Sequence, residues 1–425
     1  MHGQRRWWPA AGVMAFMLVV AGGCSSSDKS ASASKQPTTT TALIPAPAGL
    51  PAFYAVPKPL PTTKAGDLLK TEKVAAAGVN GDVYRVMYVS TTVHNAPTPV
   101  TGLVVVPKGA PPSGGWPVVT WGHGTNGMAD KCAPSLNPAD PQQAQLANLL
   151  LAHGWAVTAS DYQGEGTPGL LPYIAGDSAA RNVIDIVRAA RQLPLGHVSV
   201  NYVVWGHSEG GQTAMYALKI GPTYAKDLHL KGVVAGAPPS QFNLIYVFLK
   251  GSPYRHYLLM AAGGLNAAYG NKEAPLDHVL TPAGLKLLPL LDQYCSGGIA
   301  QHLSSVDIAA VTKGDPFQDD LWRKVLDAND PQQFQSPSPI PLLMIQGGAD
   351  EQIPPVSTKI LAEHLCSIGQ NLERWIYPGQ SHAGVIGPSA NDMAHWMTDR
   401  FDGGTNPDPY SPTGLANIDV TRCPK

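Results

Sequence analysis

Residues 202–218 read Tyr202-Val-Val-Trp-Gly206-His-Ser208-Glu-Gly210-Gly-Gln-Thr-Ala-Met-Tyr-Ala-Leu218. The first four are β-branched or aromatic, which suits a short buried strand. The run from Gln212 to Leu218 suits a helix. Between them Gly206-His207-Ser208-Glu209-Gly210 sets a serine midway between two glycines. A serine on a sharp strand-to-helix turn has a strained backbone and a raised hydroxyl. Side chains two places to either side would collide with the adjoining strand and helix. The helix that follows directs its positive end at negative charge developing near the serine. The pentapeptide alone is a weak signal, and its setting between strand and helix gives it weight. The bland alternative is a glycine-rich turn with a surface serine. The reading adopted is a nucleophile at Ser208.

A serine nucleophile needs a base, and the base needs an acid to orient it. On strand–turn–helix scaffolds of this kind the acid precedes the histidine. Asp350 ends the run Pro341-Leu-Leu-Met-Ile-Gln-Gly-Gly-Ala-Asp350, a buried strand entering a glycine turn. That places a carboxylate at the same sheet edge as Ser208. Glu351 is an exposed rival, and Asp392 falls after the histidine. His382 sits among small residues in Tyr377-Pro-Gly-Gln-Ser-His-Ala-Gly384, beyond a short strand at 374–377. Of 13 histidines, only His382 and His395 follow the acid closely with a strand between, and His395 lies in a helical run. Acyl transfer also needs oxyanion donors. These are expected from the backbone N–H of Glu209 and of Thr125, with Gly124 as the alternative, on the loop His123-Gly-Thr-Asn-Gly127. His207 is expected to pack beside the turn, and the Glu209 side chain is given no role.

Around these residues, strands are expected at 83–91, 100–106, 117–121, 155–160, 202–205, 231–235, 341–346 and 374–377. Helices are expected at 142–153, 178–193 and 210–218. The first two strands read as an antiparallel pair at a sheet edge. Alternation elsewhere implies an α/β fold, a mainly parallel sheet with helices on both faces. Between residues 239 and 338 the rhythm stops. The aromatic, Leu-rich stretch there is helical in period, and so long a structureless loop is implausible. It reads as an inserted helical cap over the strand C-termini, where such sheets bind ligands. The division is therefore core at 51–240 and 339–425, and cap at 241–338.

The N-terminus is a targeting signal over residues 1–23. Arg5 and Arg6 precede an apolar run too short for a bilayer span, ending in Ala21-Gly22-Gly23-Cys24. That ending resembles a bacterial lipobox with Cys24 as the acylated first residue, although leucine would be usual at position 21. Residues 24–50, rich in Ser, Thr, Ala and Pro, read as a solvated tether. Setting Cys24 aside leaves Cys132, Cys295, Cys366 and Cys423, an even count that suggests two disulfides in an exported chain, with three pairings open. Their spacing matches no zinc site. A hydrophobic content of 44 % with 14 % charged residues excludes a disordered or coiled-coil chain, and a net charge of −1 gives no reason to expect a nucleic-acid partner.

The chain resembles the secretory lipases of actinobacteria and fungi, a branch of the α/β-hydrolases. The resemblance rests on His123-Gly-Thr125, Cys132-Ala-Pro-Ser135, Asp161-Tyr-Gln-Gly164, residues 181–191, residues 206–211, Gly348-Ala-Asp350 and Ser381-His382. It implies a Ser208–Asp350–His382 triad, a lid over an acyl-binding tunnel, cystines Cys132–Cys295 and Cys366–Cys423, and hydrolysis of carboxylic esters, including triacylglycerols, without metal or cofactor. The fungal enzymes carry an acidic residue in the oxyanion loop where this chain has His-Gly-Thr, so only the loop is carried over. The expected partners are an acyl-ester or lipid substrate and, through Cys24, the outer face of a membrane. Acyl transfer to an alcohol, peptidase activity and non-catalytic surface binding are the competing readings.

Overall fold

The computed structural model describes residues 42–194, 198–404 and 410–424. The signal, Cys24 and most of the expected tether lie outside the described residues. β1 (Ala42–Ile44) pairs antiparallel with β2 (Val56–Lys58). The folded body thus begins inside the stretch expected to be tether.

The remaining strands form one sheet. They are β3 (Leu68–Val74), β4 (Gly81–Thr91), β5 (Pro97–Pro107), β6 (Trp116–Gly122), β7 (Ala156–Ser160), β8 (Val198–His207), β9 (His229–Gly236), β10 (Leu342–Gly347), β11 (Leu372–Tyr377) and β12 (Asp419–Cys423). Their spatial order is β12-β11-β10-β9-β8-β6-β7-β5-β4-β3. The six from β7 to β11 are parallel, and antiparallel pairings flank them on both sides.

The expected β4–β5 pair is present but is not at the edge. β3 lies outside it, and Lys70, Glu72 and Lys73 in that strand hid it from a hydrophobicity reading. Charged side chains on an edge strand deter pairing with other chains. β12 was also unforeseen. It returns antiparallel to β11 after the last helix, and Cys423 there is bonded to Cys366. Asp392 anchors that return, accepting from the Tyr377 and Tyr410 hydroxyls at 2.7 and 2.9 Å and from the N–H groups of Thr413 and Gly414 at 2.9 Å each.

The parallel strands bury both faces because both alternating sets of residues are apolar. Val118, Tyr202, Val204, Leu342 and Met344 belong to one core. Their neighbours Val119, Val203, Trp205, Leu343 and Ile345 belong to the other. Each such side chain contributes about 1.5–3 kcal/mol of transfer free energy. α1 (Pro141–Ala152) covers the second face with Leu150 and Leu151, and the helix Ile386–Phe401 adds Met393, Trp396 and Met397. The Asp140 carboxylate caps α1, accepting from the N–H groups of Gln142 and Gln143. α2 (Gly176–Ala190) and α3 (Glu209–Tyr224) cover the first face through Val183, Ile186, Ala214, Met215 and Leu218.

Between β9 and β10 the chain is helical. α4 (Phe242–Lys250) and α5 (His256–Tyr269) lead, short helices follow, and Asp320–Asn329 closes the series. Leu259, Met260, Leu265, Trp322 and Leu326 from this segment join the first core, so the insertion and the sheet share one interior. A small satellite cluster of Ala237, Ile245, Leu249 and Ile353 stands apart. Cys132 is bonded to Cys295, and Gly127 pairs with Cys295 as an isolated bridge, so the inserted segment is tied to the loop that follows β6.

The Cys366–Cys423 bond closes a loop of 57 residues and joins β12 to the helix Pro355–Ser367. Replacing both cysteines by serine is expected to lower unfolding stability by about 2–4 kcal/mol, read as a reduced urea midpoint.

Candidate active site

β8 runs into α3 with no connecting loop, and Ser208 occupies the junction at φ 61°, ψ −122°. A serine there stores about 1–3 kcal/mol of backbone strain. The surroundings hold it. Its N–H donates to the Gly236 carbonyl at 2.9 Å, and its carbonyl accepts from the Gln212 N–H at 3.1 Å. The flanking glycines are required by contact. A Cβ on Gly206 would lie 2.0 Å from the Gly210 carbonyl oxygen, and one on Gly210 would lie 1.9 Å from that of Gly122. α3, β8 and β6 meet there backbone to backbone.

That contact also places the loop after β6 over the serine. A Cβ on Gly124 would be 3.6 Å from the Ser208 Cβ. The loop is pinned at several points. The Tyr162 hydroxyl donates to the His123 carbonyl at 3.1 Å, the Thr125 and Tyr173 hydroxyls are 2.9 Å apart, and the Ser296 N–H donates to the Asn126 carbonyl at 2.8 Å. The motifs at 132–135 and 161–164 act behind it. Asp161 accepts from the Ser135 N–H at 2.8 Å and from the Thr101 hydroxyl at 2.7 Å, so the turn carrying Tyr162 is braced to β5.

Asp350 and His382 stand at the same sheet edge, beyond the ends of β10 and β11. His382 Nδ1 is 2.8 Å from Asp350 Oδ2, and both side chains are buried. Asp350 is held by three further donors: the N–H groups of Gln352 and Ile353 to Oδ1 at 2.9 Å each, and Gln346 Nε2 to Oδ2 at 2.7 Å. A carboxylate with this many fixed donors can set both the tautomer and the orientation of an imidazole. Glu351, the rival acid, accepts the His382 backbone N–H at 3.0 Å and so steadies the loop and not the ring. Asp392 is committed to the C-terminal return, and His395 stacks on Tyr410 at 4.0 Å on the helix surface.

His207 packs against His382 with ring centroids 4.6 Å apart. Burial, with the charge on His382 adding to it, pushes its pKa down to about 3. It therefore stays neutral beside the other ring. Ser208 opens on an apolar cavity walled by Phe242, Ile245 and Leu249 of α4, by Leu258, Ala261 and Leu265 of α5, and by Trp322, Leu326 and Ile353. Among the described residues no cluster of three His, Cys, Asp or Glu side chains is arranged to hold a metal.

The sequence reading missed four polar groups here: Gln346, Tyr162, Tyr173 and the Glu209 side chain. Glu209 is buried at 3 % exposure under the loop, hydrogen-bonded to the Thr125 hydroxyl. Its position next to the serine was the one available signal.

The secretory lipase family model matches residues 142–408. A secreted triacylglycerol lipase of Malassezia globosa is 25 % identical over 83 % of this chain and 80 % of its own length. A Mycobacterium tuberculosis relative named a "probable inactive lipase" is 23 % identical over 75 % of this chain and 73 % of its own. Among solved structures, Candida antarctica lipase A in its closed state superposes with a TM-score of 0.73 at 18 % identity, covering 88 % of this chain and 89 % of that one. The Xanthomonas oryzae esterase that degrades rice cell walls superposes at 0.63 and 21 %, covering 80 % and 96 %. These likenesses fit the observed sheet order and the strand-to-helix turn at Ser208. The chain belongs to the secretory lipase family and is a carboxylic ester hydrolase with the α/β-hydrolase fold.

Proposed function

We propose that this lipase or esterase cleaves acyl esters through an acyl-enzyme on Ser208. The observation that carries the proposal is the His382–Asp350 hydrogen bond at the strand edge where Ser208 opens on an apolar cavity. Ser208 Oγ attacks the ester carbonyl as His382 takes its proton, and Asp350 stabilises the imidazolium. The N–H groups of Glu209 and Thr125 receive the oxyanion. The first lies at the start of α3, where helix N–H groups have no partner within the helix, and the second is on the loop crossing Ser208. His382 then returns the proton to the leaving alcohol and activates the water that releases the acid.

The cavity supports an apolar acyl group as the part bound, since its walls bear leucine, isoleucine, phenylalanine and tryptophan. Relatives named triacylglycerol lipases support acylglycerols among the substrates. The inserted segment at 241–338 acts as the cap and supplies most of that wall. Outside the described residues, the signal and Cys24 support export and a lipid anchor, with residues 24–41 as tether. The two disulfides accord with an oxidising compartment.

Purified protein is expected to hydrolyse p-nitrophenyl esters and to be labelled by a fluorophosphonate. Ser208→Ala should abolish the labelling and lower kcat by about 10⁵-fold or more. Asp350→Asn should lower kcat about 10⁴-fold. Retained hydrolysis in Ser208→Ala overturns the nucleophile assignment.

Specificity should follow the cavity. kcat/KM is expected to rise from acetate to octanoate, and Ala261→Phe should depress the octanoate value about tenfold more than the acetate value. Steady-state kinetics across the ester series checks this. For the anchor, Cys24→Ser expressed in a bacterium should eliminate incorporation of an alkyne-tagged palmitate seen in the parent chain. Equal incorporation in both would remove Cys24 as the acylated residue.

A further inference from the structure

Glu209 is the first residue of α3 and directly follows the nucleophile. Charged residues are almost never this buried unless paired. Among the described residues no lysine or arginine forms an ion pair with it, and Oε2 has no hydrogen-bond partner. Among the described residues, the Thr125 hydroxyl is the side-chain group whose hydrogen bond acts on its carboxyl. That hydroxyl in turn meets the Tyr173 hydroxyl at 2.9 Å. Tyr173 lines the cavity beside Ser208, and its backbone packs so closely on α5 that a Cβ at Gly264 would lie 2.4 Å from its nitrogen. Polar contacts therefore run from the residue after the nucleophile, through the loop over it, to Tyr173, whose backbone packs on α5.

We propose that the Glu209 side chain is a positioning residue: through the Thr125 hydroxyl and Tyr173 it holds the oxyanion loop in place over Ser208. The proposal rests on the assignment of Ser208 and of the Thr125 loop made above.

While neutral, the carboxyl adds no charge beneath a site that must accept an oxyanion. Burial pushes the pKa of Glu209 up to about 8, against the opposing hydrogen bond from Thr125. Among the described residues, the titratable groups coupled to it are acidic or phenolic. Glu165 is buried with both oxygens unpartnered and is raised by burial and by Glu209 itself. Tyr162, Tyr173 and Tyr257 are raised by burial, with Glu209 adding to each. His123, the imidazole in this group, lies 3.5 Å from Glu165 and is driven down to about 4 by burial, so it brings no positive charge. Ionisation of Glu209 would therefore put an uncompensated negative charge under the loop that must accept an oxyanion. The active form is the protonated one, present below about pH 8 and lost as pH rises through it.

The test is the pH dependence of kcat for p-nitrophenyl butyrate from pH 6 to 10, corrected for spontaneous hydrolysis, with fluorophosphonate titration of active serine at each pH. Wild type should lose kcat about tenfold per unit above about pH 8, with the active-serine count unchanged. Glu209→Gln, which keeps shape and hydrogen bonding without a titratable proton, should show no alkaline limb. Glu209→Ala and Thr125→Val should each lower kcat at pH 7 by about 10- to 100-fold, with KM within about twofold, and the double variant should fall no further than either. An alkaline limb in Glu209→Gln matching wild type overturns the proposal, as does full kcat in Glu209→Ala. If Glu209→Ala does not fold, the Gln profile decides alone. Failure of the nucleophile assignment would show separately, as activity surviving Ser208→Ala.

Discussion

The active-site edge depends on one backbone contact, the approach of Gly210 in α3 to Gly122 at the end of β6. A methyl group at 210 would sit far inside van der Waals contact distance of that carbonyl, and one at 206 would strike Gly210 itself. With both Cβ atoms absent, the helix can begin on the residue after the strand, and the serine between them is driven into left-handed φ. The same approach brings the loop after β6 to within contact of the Ser208 Cβ. The strained serine, the start of α3 and the loop after β6 are therefore held together by one packing constraint. The strain persists because the hydrogen bonds of Ser208 to Gly236 and Gln212 over-determine the junction.

The second organising element is the parallel register of β8, β9, β10 and β11, which ends the strands on a common edge. Ser208, Asp350 and His382 are far apart in sequence, yet each lies within a few residues of a strand terminus on that edge. The electrostatics differ across it. Asp350 is surrounded by donors, whereas burial raises the pKa of both Glu209 and Glu165.

Much of this was legible in the sequence where a physical requirement leaves a short-range mark. Glycines at 206 and 210, an apolar run before Asp350 and small residues around His382 are such marks. Each expected central strand is present, within a few residues at its ends. What was illegible depends on packing between distant segments. β3 carries lysines and a glutamate because it is an edge, so its composition argued against it. The segment leading into β12 is held by Asp392, whose role as an anchor some twenty residues away leaves no local pattern. Glu209 looks like a helix-start acid, which is ordinarily solvated, and only the loop folding over it makes it buried. The pairing of four cysteines followed from family likeness and not from spacing, because each bond joins segments that only the tertiary fold brings together.

The cavity wall is built from two kinds of neighbour, which bears on how its substrate range can drift. Phe242, Leu265, Trp322 and Leu326 belong to the same interior that covers the sheet, whereas Ile245, Leu249 and Ile353 belong to the satellite cluster. Truncating a residue of the first kind opens a void in the principal core, at about 2–5 kcal/mol for a leucine. That is a large fraction of a domain's whole stability. The satellite cluster has few other residues leaning on it. Adaptation to new acyl groups is therefore channelled through one wall, while the other is held by selection for folding itself.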